Sequence, residues 1–195
     1  ALAAFGEAKY KNEFDQIIEF IPPFNFRLNL EYFIHHKQLI FENSSMNKPM
    51  FENLYSIKLE KLLGTSRKYN SEIEKRHYDI AASLQNKFEE IILKIIKNIY
   101  LENHSDNLCL SGGCIFNSVL NGKIYKNFDF ENVFFHANVG DAGGAIGSAL
   151  NHNHLINKNF KNIKQENYFL GPDYSNDDIK ITIEKNKESL RNFEI

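Results

Sequence analysis

Apolar residues recurring at steps of three and four dominate the middle of the chain. Between Ser71 and Glu102, Ile80, Leu84, Phe88, Ile91, Ile95 and Ile99 form one continuous stripe, with Lys87, Glu90, Lys94 and Lys97 mostly outside it. This spacing predicts one long helix packed on a core, opened by Ser71 and Glu74 at capping-box spacing. Upstream, Asn12–Phe20 reads as a short helix stopped by Pro22-Pro23, and Phe24–Phe33 alternates apolar and polar residues as a strand or hairpin arm does. Asn43–Pro49 is a turn-rich connection. Phe51–Leu63 returns to helical spacing and is closed by Gly64 as a C-cap. Downstream come two short apolar runs, Asn107–Leu110 and Asn132–His136, each predicted to be a strand leading through a small-residue turn into a helix. Asn157–Asn167 is polar and turn-rich, and Gly171-Pro172 marks a linker. Ser175–Lys187 is a short helix in which Ser175 and Asp178 again have capping-box spacing.

The two turns carry the candidate chemistry. Each holds paired glycines, Gly112-Gly113 and Gly143-Gly144. Paired glycine permits positive φ and lets a ligand approach the main chain without meeting a Cβ, while a helix starting there directs free N–H groups and its positive end at the same spot. Two such units in succession point to a nucleotide phosphate. Gly140 to Gly147 contains no G-x-G-x-x-G, and no G-x-x-x-x-G-K-[ST] occurs anywhere, so a Rossmann site or P-loop is not expected. Asp141 lies at the mouth of the second turn, where a carboxylate beside a phosphate calls for a cation; it is a candidate metal ligand, or an N-cap, or both. Gly143 and Gly147, four apart, are alternatively placed for close packing against a sheet.

Composition narrows the classes. A chain of 195 residues, 43% hydrophobic and with a formal charge of −2, can bury a core and has no long basic block, so neither a nucleic-acid nor an anionic-membrane partner is expected. No apolar run approaches the roughly 18 residues of a membrane span. Ala1–Gly6 is too short and lacks the basic residues of a signal peptide. Two cysteines exclude a disulfide scaffold and fit a reducing cytoplasm; Cys109 and Cys114 lack CxxC spacing and are read as small core thiols. The chain lacks an initiator Met and opens as if within a loop, so it reads as a piece of a longer protein. No internal repeat stands out.

Four blocks in order resemble the O-carbamoyltransferases of the nodulation and antibiotic-modification type: LAAFGE at Leu2–Glu7, RHYDIAASLQ at Arg76–Gln85, NLCLSGGCIFNSVLNGKI at Asn107–Ile124 and GDAGGAIGSAL at Gly140–Leu150. YFLGPDYSNDDI at Tyr168–Ile179 resembles the family's exit from this domain. The resemblance implies an α/β, helix-rich fold of the actin/Hsp70/sugar-kinase-like (ribonuclease H-like) kind, mainly its second lobe and incomplete here. Residues 1–167 would be a partial carbamoyl-transfer domain and 168–195 the linker and start of a C-terminal domain that makes carbamoyl-adenylate from ATP and carbamoyl phosphate. The implied activity passes the carbamoyl group to a hydroxyl of a small-molecule acceptor. By motif, Gly112, Gly113 and Asn117 would line the adenylate, Gly143 and Gly144 its phosphate, and Asp141 would bind a divalent metal of the iron or magnesium class. The acceptor and the oligomeric state are not legible.

The threonylcarbamoyl-tRNA proteins are related, but typically have Asp-Asn where this chain has Asp141-Ala142-Gly143-Gly144, which favours the small-molecule transferase; another ATP-binding protein of the same fold, tRNA-modifying or kinase-like, or a non-catalytic interaction module, is the alternative. The family's metal site also draws on an H-H-x-x-H-type block that would precede Ala1. His35-His36 are not that block, because Lys37-Gln38-Leu39-Ile40 follow with no third His. His77 lies beside Asp79 on the long helix, either within reach of the site or simply on the helix surface. His136, His152 and His154 have no ligand set around them in sequence. Without the missing parts the chain alone is expected not to turn over.

Overall fold

A computed structural model describes residues 2–37, 41–42, 50–51, 54–103, 105–157 and 171–190. The chain divides into two units, 1–135 and 136–195. In the first unit a 3-10 turn at Leu2–Phe5 is followed by α1 (Lys11–Ile17) and then by the antiparallel hairpin β1 (Ile18–Ile21) and β2 (Asn25–Leu28). A second 3-10 turn, Leu30–Tyr32, precedes the short antiparallel pair β3 (Phe41–Glu42) and β4 (Met50–Phe51). Then come α2 (Ile57–Leu63), α3 (Lys75–Asn103), β5 (Asn107–Leu110), a 3-10 turn at Gly113–Phe116, α4 (Ser118–Asn127) and β6 (Asn132–Phe135). The second unit has α5 (Gly143–Ile156) and α6 (Asn176–Lys185). The described fold is mixed α/β and helix-rich with small sheets.

Several expected boundaries move, each for a local reason. The helix predicted over Asn12–Phe20 ends at Ile17, because Ile18–Ile21 pair in register with Asn25–Leu28. The strand expected over Phe24–Phe33 is only Asn25–Leu28, since Asn29 caps the turn that follows. Phe51 is in a strand, and α2 starts at Ile57 because the Ser56 hydroxyl caps it by accepting from the Lys58 N–H. Gly64 does close that helix, at φ +97°, and Arg76 donates to the Leu63 and Thr65 carbonyls on either side of it at 3.0 and 2.8 Å. The long helix begins at Lys75 rather than Ser71: the Ser71 hydroxyl bonds the Lys68 carbonyl, and the Glu74 N–H is accepted by His77 Nδ1 at 2.9 Å. His77 thus does the work of a capping-box residue. Most of Asn157–Asn167 lies outside the described residues, whereas the Ser175–Asp178 capping box is formed in full.

α3 organises the first unit through two faces of different chemistry. On one, Asp79, Ser83 and Lys87, four residues apart, are buried beneath the N-terminal segment. Asp79 Oδ1 accepts from the Glu7 N–H at 2.9 Å, Ser83 Oγ accepts from the Tyr10 N–H at 2.9 Å, and Lys87 Nζ donates to Asp15 at 2.6 Å. The approach is so close at Gly6 that a Cβ would lie 2.0 Å from the Tyr78 carbonyl oxygen. Lys87 is therefore buried, not outside the packed face, and Leu84 of the predicted stripe is 53% exposed. On the other face, Ile96 packs with Leu120 and Ile124 of α4, both fully buried, against half-buried Phe88, Ile92, Leu108, Leu110, Phe128 and Phe130.

β5, α4 and β6 form a parallel βαβ unit in which Asn107–Leu110 pair with Asn132–Phe135. Side chains alternate: Leu108, Leu110, Val133 and Phe135 are half-buried, while Asn107, Cys109, Asn132 and Phe134 are exposed. The strand pleat turns Cys109 outward, and Cys114 is exposed in the turn. Both thiols are free, so the expectation of core thiols is corrected.

Candidate functional site

The first glycine turn forms one wall of a groove of about 430 Å³, with Leu84, Gln85 and Phe88 of α3 opposite Gly113, Cys114 and Asn117. Its size is that of a small-ligand site. The two glycines differ. Gly112 has φ +103°, a left-handed conformation that disfavours any side chain. Gly113 has no such φ, and no atom lies within 4 Å of where its Cβ would stand. The fold makes no steric demand for glycine at 113, and the space beside it is continuous with the groove. The N–H groups of Gly113 and Cys114 donate to no other backbone group among the described residues.

Asn117 holds the turn to α4 and to α3 together. Its Oδ1 caps α4 by accepting from the Leu120 N–H at 3.1 Å. The same amide is paired both ways with Gln85, Nδ2 to Oε1 at 2.9 Å and Nε2 to Oδ1 at 3.1 Å. Gln85 Nε2 also donates to Glu89 at 2.8 Å, and buried Glu89 is ion-paired with Lys123 of α4. The RHYDIAASLQ and NLCLSGGCIFNSVLNGKI blocks, separate in sequence, are thereby joined side chain to side chain.

The LAAFGE block is held on the same helix at Asp79. The Glu7 N–H, followed by the Lys75 and Lys9 ammonium groups, outweighs burial and holds the Asp79 carboxyl below its usual value. Sequence reasoning assigned no role to Asp79, Ser83, Gln85, Glu89 or Lys123. A row of polar residues at four-residue spacing on an otherwise amphipathic helix was the available signal.

In the second unit Gly143 and Gly144 open α5 in helical conformation. A Cβ on Gly143 would meet the Asn138 carbonyl oxygen at 2.1 Å, so glycine is required there for packing. Gly144 and Gly147 have nothing within 4 Å of such a Cβ. The N–H groups of Gly143 and Gly144 already donate to the Gly140 and Asp141 carbonyls, both at 3.0 Å, so what the pair leaves open is space at Gly144. Asp141 is exposed and is not the helix cap: the cap position is Ala142, with no side-chain bond. Among the described residues no three His, Cys, Asp or Glu side chains gather as a metal site, so Asp141 stands as a single carboxylate. His35 and His36 are exposed, with rings 5.8 Å apart and edge-on. No described helix is long and apolar enough to cross a membrane.

A larger cavity, about 550 Å³, lies further along α3 beside Lys94, Lys97, Tyr100 and Phe128. It contains no glycine turn and none of the blocks' polar residues, so the Gly113 groove is the better candidate.

Comparison with known proteins agrees with the placement of these blocks. A family model described as carbamoyltransferase N-terminus matches residues 1–150. An uncharacterised protein of Synechocystis sp., sll1178, is 32% identical over 184 residues, covering 92% of this chain and 28% of its own length. Nodulation protein NolO of Bradyrhizobium diazoefficiens is 30% identical over 102 residues, 52% of this chain and 19% of that protein. Nodulation protein NolNO of Sinorhizobium fredii is 29% identical over 102 residues, 52% of this chain and 15% of that protein. The chain thus spans under a third of the length of these relatives. Its blocks, and the helix that joins three of them, lie within the matched residues, and the chain belongs to the carbamoyltransferase N-terminal family.

Proposed function

We propose that this chain is the part of an O-carbamoyltransferase that uses carbamoyl-adenylate, made from ATP and carbamoyl phosphate, and that it is built as part of an actin/Hsp70/sugar-kinase-like lobe. The observation that carries the reading is Gly113: an exposed glycine with unstrained φ and open space at its Cβ position, on a groove beside Asn117. In the transfer step the oxygen of an acceptor hydroxyl attacks the carbamoyl carbon. The hydroxyl proton is lost to a base, the bond from that carbon to the phosphate oxygen breaks, and AMP leaves. Gly112, Gly113 and Asn117 contribute by admitting and orienting the adenylate, with the open N–H groups at 113 and 114 available to developing negative charge. The second turn carries its own part of the proposal, Gly144 for a phosphate and Asp141 for a divalent cation. Such a cation, when bound, stabilises charge on a phosphate leaving group. Among the described residues Asp141 is the one ligand offered to it at this turn.

The test is made on the full-length protein with ATP, carbamoyl phosphate, magnesium or ferrous ion and a panel of small hydroxylated acceptors. Pyrophosphate release and carbamoylated product are followed in wild type, Gly113→Ala and Asp141→Ala. The expected result is transfer by wild type and a fall of at least about tenfold in Gly113→Ala with its melting temperature unchanged, since a loss of about 1.4 kcal/mol in ligand binding is tenfold. Adenylate formation with no transfer to any small acceptor would move the reading to tRNA threonylcarbamoylation. Absence of pyrophosphate release in wild type would overturn it.

A further inference from the structure

We infer that Gln85 is a positioning residue for the Gly113 groove, acting through Asn117; this rests on the nucleotide reading above. The network that reaches Asn117 has a direction set at both ends. Glu89, ion-paired with Lys123, offers Gln85 only an acceptor, so the Gln85 amide must present Nε2 to it. The Leu120 N–H is only a donor, so the Asn117 amide must present Oδ1 to it. With those orientations imposed, the two amides face each other donor to acceptor twice, at 2.9 and 3.1 Å. Neither amide can flip without losing bonds at both its ends. Both Nε2 protons of Gln85 are spent, on Glu89 and Asn117, whereas Asn117 Nδ2 uses one proton on Gln85 and retains one. On the groove wall the pair therefore keeps one N–H donor, from Asn117, at a position that Gln85 fixes. A ligand meets that donor already oriented, which is the benefit of holding a binding group by a second set of bonds.

The inference separates from a purely structural role. If the pair only joined α3 to the turn, replacing Gln85 by an apolar side chain of similar length would be close to neutral for binding. If it positions Asn117, the same change loosens the amide plane and the cap together. The experiment compares wild type, Gln85→Met, Gln85→Glu and the double variant Gln85→Glu/Glu89→Gln in the full-length protein. Binding of ATP is read by calorimetry, and backbone hydrogen exchange is read at Leu120, whose N–H reports the Asn117 cap whether or not nucleotide binds.

Gln85→Met is expected to weaken ATP binding about tenfold and to speed exchange at Leu120. Gln85→Glu sets two carboxylates against each other one helical turn apart and is expected to bind ATP at least as poorly. The double variant supplies an amide donor from position 89 to the new carboxylate at position 85 and relieves that opposition, but leaves Asn117 Oδ1 without its donor from position 85. It is expected to bind ATP better than Gln85→Glu and still more weakly than wild type. ATP affinity and Leu120 exchange both unchanged in Gln85→Met would overturn the inference. Failure of wild type to bind ATP, with faster Leu120 exchange still seen in Gln85→Met, would sink the nucleotide reading while leaving the amide lock in place.

Discussion

Asp79 shows what one buried carboxylate does when its partners lie 70 residues away. Its side chain is 7% exposed and accepts the Glu7 N–H, with Lys75 and Lys9 within ion-pair distance. Its folded pKa lies below the ordinary value of an aspartate carboxyl, so the tether is fully present above about pH 4 and is lost as pH falls through the folded value. We expect acidification through that window to free residues 2–10 from α3, and Asp79→Asn, which keeps the shape but removes the charge, to weaken the same docking at neutral pH. Hydrogen exchange at the Glu7 and Tyr10 N–H groups reads both; exchange unchanged in Asp79→Asn would show that charge contributes nothing there. None of this was legible from the residue alone. Asp79 reads in sequence as one more polar position of an amphipathic helix, and only the close approach at Gly6 makes it an anchor.

At the scale of elements, α3 is a spine with a polar seam and an apolar one, and α1 rides on the polar seam through Lys87. Burial pushes the Lys87 pKa down, but Asp15 and Glu90 together outweigh it and the ammonium is held charged, above its usual value. Breaking such a pair costs more than replacing it. We therefore expect Lys87→Met to change the opening free energy of α1 by less than about 1 kcal/mol, whereas Asp15→Ala with Glu90→Ala, which leaves the ammonium without either carboxylate, costs more, about 1–2 kcal/mol, because both carboxylates are partly solvated. Native-state hydrogen exchange across 11–17 separates the two outcomes. The element pattern itself was legible where it was local: both strand-turn-helix units, the Gly64 stop and the Ser175 capping box follow from neighbouring residues. The start of α3 was not, because Ser71 and Glu74 have the right spacing for a cap while the Lys68 carbonyl and His77 claim them instead.

For the whole molecule, the apolar cluster of Ile96, Leu120 and Ile124 sets how firmly the glycine turn is held, since α4 begins one residue after the turn ends. Leu120 is fully buried, and Leu120→Ala is expected to destabilise the first unit by about 2–5 kcal/mol, read as faster exchange throughout α4 and β5. A change confined to α4 would mean that the cluster does not couple the helix to the sheet. Family membership was legible from four short blocks, because each is a contiguous run that can be read without knowing what it packs against. The sequence by itself determined the periodicity of α3, the order strand, turn and helix in each of the two units, and the glycine turns, all of which depend on residues within a few positions of one another. Only the tertiary structure decided that Asp79, Ser83, Lys87 and Glu89 are buried, that Cys109 faces outward, and that Gln85 locks Asn117. Those outcomes depend on contacts such as Glu7 with Asp79 and Gln85 with Asn117, formed across 72 and 32 residues of chain, and no local pattern encodes which distant partner will satisfy a buried polar group.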